Sequence, residues 1–241
     1  MKALHLPRSS RRAFWEPALF AVVLLAVLLT LGCSPETKKK GEMFPDMYQE
    51  KPVVILVLPP INETTAADAK EYYATTIVEP LSLMGYYILP YEITSDVLKR
   101  EGIYDTELVT ETPLSKFREY FGCDAVLFTT IKKWDVQYLV LSSTLTVSVD
   151  CVLKSSTTDR VLWKYNGTVV IDLSGHNSGQ SGLGGLIAQA VITAVNTVRA
   201  DYVPYAKQAN ALAMDSLPCG KYHTLHGKDE QTDVIVQKEK K

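Results

Sequence analysis

Residues 52–60 read Pro-Val-Val-Ile-Leu-Val-Leu-Pro-Pro, and this stretch decides the fold class. The apolar run from Val53 to Leu58 is only six residues long and rich in β-branched side chains. A run that short, closed by prolines, reads as a strand and not as a helix. Because it offers no polar side to water, it belongs in a sheet covered on both faces, which is the habit of parallel strands joined by helices.

The chain downstream fits that reading. Ile61-Asn62-Glu63-Thr64-Thr65 is a loop in which either Thr can cap a following helix. Tyr73, Ile77, Leu81 and Met84 then recur at spacings of four, four and three. Pro80 predicts a kink or restart in this helix, and Gly85 its end. Residues 86–89 form a second short strand stopped by Pro90. Helices are predicted near residues 95–100 and over residues 113–121, the latter with Leu114, Phe117 and Tyr120 or Phe121 on one face. Residues 125–131 repeat the buried-strand pattern.

Alternation takes over next. Leu139, Leu141, Leu145, Val147, Val149, Cys151 and Leu153 occupy one face, and Ser142, Thr144, Thr146, Ser148, Asp150 and Lys154 the other. That is a long strand with one wet side. After a turn at residues 155–159, Val161, Trp163, Tyr165, Val169 and Ile171 predict an antiparallel return. A loop with Gly175, Gly179, Gly182, Gly184 and Gly185 feeds a helix marked by Leu183, Leu186, Ile187, Ala190, Val191, Ala194, Val195 and Val198. A last helix covers about residues 204–216. The order predicts one α/β domain with a mixed sheet, parallel in its first strands and antiparallel in its later hairpins, covered by helices.

Before this domain lies a targeting pattern. Lys2, Arg8, Arg11 and Arg12 precede a charge-free stretch over residues 18–31, closed by Thr30-Leu31-Gly32-Cys33. A basic start, an apolar centre and small residues at the end read as a signal peptide over residues 1–32. The apolar centre is shorter than the roughly 20 residues a membrane-spanning helix needs. The Gly-Cys stop resembles the bacterial lipobox, with Thr30 where Leu is usual, and makes Cys33 the lipidated first residue of the mature chain. Ser34 in the next position resembles lipoproteins sorted to the outer membrane. Residues 33–51, polar and charged, read as a flexible tether, residues 52–218 as the domain, and residues 219–241 as a polar, mobile tail. The tether's eighteen residues from Ser34 to Lys51 would reach about 60 Å when stretched.

Without the first 32 residues, 21 basic and 26 acidic residues remain, which argues against a nucleic-acid partner. Cys123, Cys151 and Cys219 form no CxxC. The first two read as buried thiols, with a Cys123–Cys151 bridge left open, and Cys219 as the more exposed. The glycine loop lacks GxGxxG and GxxxxGK[ST], so it reads as a hinge or contact loop. His223 and His226, even with Asp229, read as solvated tail residues more readily than as metal ligands. His176 has no nucleophile pattern beside it, and no catalytic residue, metal or cofactor is expected. The sequons at Asn62 and Asn166 are short enough to arise by chance. Tyr72, Tyr73, Tyr86, Tyr87 and Tyr91 cannot all face one core, so some are candidates for a contact surface.

Several stretches occur together in order: residues 57–64 (Val-Leu-Pro-Pro-Ile-Asn-Glu-Thr), 79–87 (Glu-Pro-Leu-Ser-Leu-Met-Gly-Tyr-Tyr), 121–127 (Phe-Gly-Cys-Asp-Ala-Val-Leu), 161–163 (Val-Leu-Trp) and 217–223 (Leu-Pro-Cys-Gly-Lys-Tyr-His). Over roughly residues 50–223 the chain resembles bacterial lipoproteins typified by a neisserial vaccine-candidate antigen, with Cys123 and Cys219 as departures. The resemblance implies a domain similar to the N-terminal domain of TolB and an accessory role beside CsgG-like secretion lipoproteins. The expectation is a non-catalytic lipoprotein on the periplasmic face of the outer membrane, held by lipid on Cys33, that binds a CsgG-like or other envelope protein, with a homo-oligomer as a further partner state. Pro59, Pro60, Asn62 and Thr64, with Gly182 and Gly184, are its candidate contact residues. The alternative expectation is a periplasmic binder of a small ligand, a glycan or nucleotide fragment.

Overall fold

The computed structural model describes residues 36–104, 106–138, 143–172 and 202–236, all within one compact unit. The strand expected at 53–58 is β2 (Val54–Val57), after a short β1 (Thr37–Lys39). Pro59 and Pro60 have no N–H to donate. Pairing therefore stops after Leu58, whose N–H meets the Leu127 carbonyl, and resumes with β3 (Ile61–Asn62). Both run parallel to β5 (Ala125–Tyr138), Ile55 opposite Ala125 and Ile61 opposite Thr130. On the other side of β2 lies β4 (Tyr87–Ile88), also parallel. β6 (Ser143–Ser155) and β7 (Val161–Asp172) complete the sheet as antiparallel neighbours in the order β4-β2-β5-β6-β7. The sheet is mixed, as expected.

Two cores explain the continuous apolar run. Ile55 and Val57 face one layer, with Tyr73 of α3 (Ala69–Thr76), Leu81 of α4 (Val78–Leu83) and Ala206, Ala209 and Ala213 of α7 (Val203–Met214). Leu56 and Leu58 face the other, with Leu98 of α5 (Tyr91–Arg100) and Leu114 and Phe117 of α6 (Leu114–Phe121). Neighbouring side chains on a strand point to opposite faces, so burying both demands the unbroken pattern. α5 begins earlier than expected, directly after Pro90. The expected break near Pro80 falls at Ile77, and the restart puts Pro80 in the first turn of α4, where its missing N–H is not needed.

β5 runs to Tyr138, well past the expected residue 131. A bulge between Ile131 and Lys133 lets Lys132 and Lys133 both stay outside, and Trp134 returns to the core on the opposite parity. On β6, Leu145, Val147, Val149, Cys151 and Leu153 are buried as predicted. On β7, Val161 is exposed and Leu162 buried, because the pairing slips between Leu153 and Lys154. Residues 139–142, the glycine loop and the helix expected at 183–198 lie outside the described residues.

Two boundary expectations are corrected. From Glu36 onward the segment expected to be a tether is folded. β1 pairs antiparallel with β8 (Asp233–Ile235), and α1 (Lys40–Met43) and α2 (Pro45–Glu50) bring Lys40, Phe44 and Met47 into the interior. The segment after residue 218 is not a loose tail through Val236: it carries buried Cys219, Asp229 and Val234. Each stretch alone has too little apolar surface to fold, and each supplies what the other lacks.

Candidate functional site

The proposed contact loop sits at the carboxyl ends of the parallel strands. Pro59 and Pro60 are buried, so they shape the loop and offer no surface. Thr106 donates its hydroxyl to the Pro59 carbonyl, seating the 3-10 turn Thr106–Val109 against the loop. Asn62 holds the loop from within. Its Oδ1 accepts from the Thr64 N–H at 3.1 Å and from Thr64 Oγ1 at 2.8 Å, and its Nδ2 donates to the Ala66 carbonyl at 2.8 Å. Thr64 Oγ1 accepts in turn from the Ala66 N–H. Asn62 and Thr64 thus fix the loop's shape, and the groups it shows to solvent are Glu63, paired with Lys132 at 2.8 Å, and Thr65. Leu108, 65% exposed, belongs to the 3-10 turn that Thr106 seats against the loop. The other two contact candidates, Gly182 and Gly184, and the lipidation candidate Cys33 lie outside the described residues, as does His176.

At the opposite edge, where β2, β4 and β5 begin, lies a polar cluster that sequence reading missed. Lys40 and Asp229 are both buried, with Nζ 3.7 Å from Oδ2. Lys40 also donates to the Asp215 and Leu217 carbonyls, each at 3.1 Å. Asp229 accepts from Tyr48 Oη at 3.1 Å and from the Cys219 N–H at 2.8 Å. Tyr86 Oη donates to the Pro218 carbonyl, and His226 Nδ1 lies 2.9 Å from the Cys219 carbonyl oxygen. This clasp joins both ends of the domain. Lys40 sits in a Lys-Lys-Lys run that looks solvated, and no local signal marks it as the buried one.

The chemistry of the clasp is structural. Burial, reinforced by Asp229, pushes the Cys219 thiol up to about 11, with Lys40 opposing. Burial likewise raises Cys123 and Cys151 to about 11. All three stay protonated at neutral pH and are poor nucleophiles. The question of a Cys123–Cys151 bridge is answered by the sheet: the two thiols are free and belong to cores on opposite faces. Cys219, expected to be exposed, is buried. His223 Nδ1 accepts from the Leu225 N–H while His226 faces the Cys219 carbonyl, so the two rings serve different parts of a turn. Among the described residues, no three His, Cys, Asp or Glu side chains gather as a metal set.

Two hollows accompany these features. One, of about 110 Å³, lies against the clasp between Tyr48, Tyr86 and His226. It is smaller than the roughly 300 Å³ at which small-molecule pockets begin. The other, about 430 Å³ and open, lies on the wet face of the sheet among Lys132, Ser148, Asp150, Asn166 and Thr168. Burial pushes the Asp150 carboxyl up, Lys132 opposes and Glu63 adds to the rise, and Asn166 Nδ2 donates to it at 2.6 Å. Of the five tyrosines flagged in sequence, Tyr73 and Tyr86 are core residues and Tyr87 is 53% exposed. Tyr72 stacks on Trp134 beside Tyr202, and Tyr91 is half-buried.

Comparison with known proteins adds four likenesses. The profile of a family described as "Putative lipoprotein GNA1162-like" matches residues 44–224. A Neisseria meningitidis serogroup B protein described in the same terms, NMB1124/NMB1162, is 29% identical over 171 residues, covering 71% of this chain and 78% of its own length. The crystal structure of lipoprotein GNA1162 from Neisseria meningitidis is 30% identical with a TM-score of 0.49, over 53% of this chain and 89% of that one. A PelC dodecamer from Paraburkholderia phytofirmans is 14% identical with a TM-score of 0.42, over 78% and 95%.

Proposed function

The chain belongs to the GNA1162-like lipoprotein family, and from that premise we propose that it is acylated on Cys33, sits on the periplasmic face of the outer membrane and serves as a non-catalytic, protein-binding subunit of a CsgG-like secretion or envelope complex. The observation that carries this reading is the carboxyl edge of the parallel strands. There a loop stiffened by Asn62 and Thr64 is bonded to the turn that carries exposed Leu108, offering both charged and apolar groups for contact. Such an edge is where α/β sheets place their binding loops. A pre-shaped loop also loses little conformational freedom on docking.

The test is palmitate labelling of cells making wild type or Cys33→Ser, followed by crosslinking and mass spectrometry of the membrane fraction. We expect label on wild type alone, with a CsgG-like protein crosslinked and the crosslink lost in Leu108→Asp. Equal labelling of both chains would overturn the anchor, and partner capture unchanged by Leu108→Asp would overturn the contact surface.

A second reading, a receptor for a glycan or nucleotide fragment, is favoured by the polar hollow on the sheet face. Calorimetry with envelope glycans and nucleotides would support it through a heat signal abolished by Asp150→Ala, and no heat would remove it.

A further inference from the structure

Resting on the reading that Cys33 is the acylated residue, we propose that the amino edge of the parallel strands, capped by the β1–β8 pair, is a membrane-facing surface seated at the lipid headgroups. The opposite edge, with Asn62, Glu63 and Leu108, then points away from the bilayer.

The link between the acylated residue and the first paired strand is short in sequence. Three peptide steps separate Cys33 from Glu36, and three steps cover at most about 11 Å however they are arranged. Glu36 is not the start of a loose arm. Its carbonyl accepts from the Val236 N–H at 2.8 Å, Thr37 to Lys39 pair with Asp233 to Ile235, and the Lys40 and Gly41 N–H groups donate to the Thr232 and Glu230 carbonyls. Behind these rungs stands the buried Lys40–Asp229 pair. Lifting the domain farther than this short link reaches would require breaking these pairings.

The clasp touches the segments that lead into the parallel strands: the Gly220 and Tyr222 N–H groups donate to the Met84 and Gly85 carbonyls just before β4, and α2 leads directly into β2. The loop after β2 is at the other end of the same strands.

On the β1–β8 strip, Lys39 pairs with Asp233 at 2.8 Å and Lys38 with Glu36 at 3.8 Å. Within the described strip two cations stand against two anions, so the strip itself adds no net attraction to acidic lipid and the acyl chains supply the binding. Ile235, 41% exposed and opposite Thr37, adds an apolar contact.

The experiment uses the full-length acylated protein in phosphatidylcholine vesicles containing nitroxide-headgroup lipid. A fluorophore is placed on Ile235→Cys, on Thr37→Cys as a second position on the strip, or on Leu108→Cys. The buried native thiols Cys123, Cys151 and Cys219 leave the introduced one as the reactive site among the described residues. We expect emission to be lost at residues 235 and 37 and retained at 108, with the same pattern when phosphatidylglycerol is added. A ten-residue Gly-Ser linker after Ser34, with a coil reach of roughly 17 Å, should restore emission at 235. Equal quenching on both edges, quenching at 108 alone, or no response to the linker would overturn the proposal. Acylation is read separately by intact mass and by vesicle flotation against Cys33→Ser. Absence of the lipid overturns the anchor reading and this proposal together, whereas a lipidated protein without edge-selective quenching overturns this proposal alone.

Discussion

Asp124 shows how one side chain fixes a strand start. Its Oδ2 accepts from the Val53 and Val54 N–H groups, each at 3.0 Å, and its Oδ1 from Arg118 at 3.0 Å. Burial pushes its carboxyl up, but these donors outweigh that and hold it below the usual carboxylate range. A depressed carboxyl stabilises the fold above the unfolded value of about 3.9 and loses that contribution as pH falls through the folded value. Asp124→Asn should therefore cost about 2 kcal/mol at pH 7, set by two hydrogen bonds to a charged acceptor. The exposed Arg118 contact adds little. Urea melts at stepped pH would check this, with the gap between wild type and variant closing below about pH 4. The sequence shows Asp124 before a strand, but not that its carboxylate reaches a strand seventy residues earlier.

At the scale of elements, the joint between α4, β4 and the closing segment turns on Gly85. Its φ of +87° suits glycine, and a Cβ there would lie 2.3 Å from the His223 nitrogen and 2.6 Å from its Cβ. Most of that obstacle is backbone, so the segment carrying Cys219 to His223 would have to move. Gly85→Ala should cost roughly 3 kcal/mol through the strained φ and the overpacking. Thermal unfolding would check it, and a variant as stable as wild type would contradict the docking. Strands and helices were largely legible here because periodicity is a local property. Val53 to Leu58 and the alternation through Leu145 and Leu153 each announced their burial. The second half of β5 was not legible, since Lys132-Lys133 looks like a strand end and only the bulge reconciles it with Trp134.

For the whole molecule, the clasp makes the two ends of the domain one unit. Asp229→Ala would leave the Lys40 ammonium buried without its counter-charge and strand the Tyr48 hydroxyl, whose proton burial and Asp229 already hold above the ordinary range. Breaking a buried pair on one side costs about 3–5 kcal/mol. Limited proteolysis should then cut within residues 36–51 and 219–236 before the sheet is attacked, and a pattern unchanged from wild type would show the clasp to be dispensable. The sequence by itself determined the α/β class, the mixed sheet and the family resemblance, because all three are carried by patterns within a few residues or by ordered short stretches. Only the tertiary structure decided that residues 36–51 and 219–236 form one folded clasp, that Pro59 and Pro60 are interior, and that Cys123 and Cys151 lie on opposite faces. Those outcomes depend on pairings between distant segments, each too polar to fold alone, and no local periodicity records a partner nearly two hundred residues away.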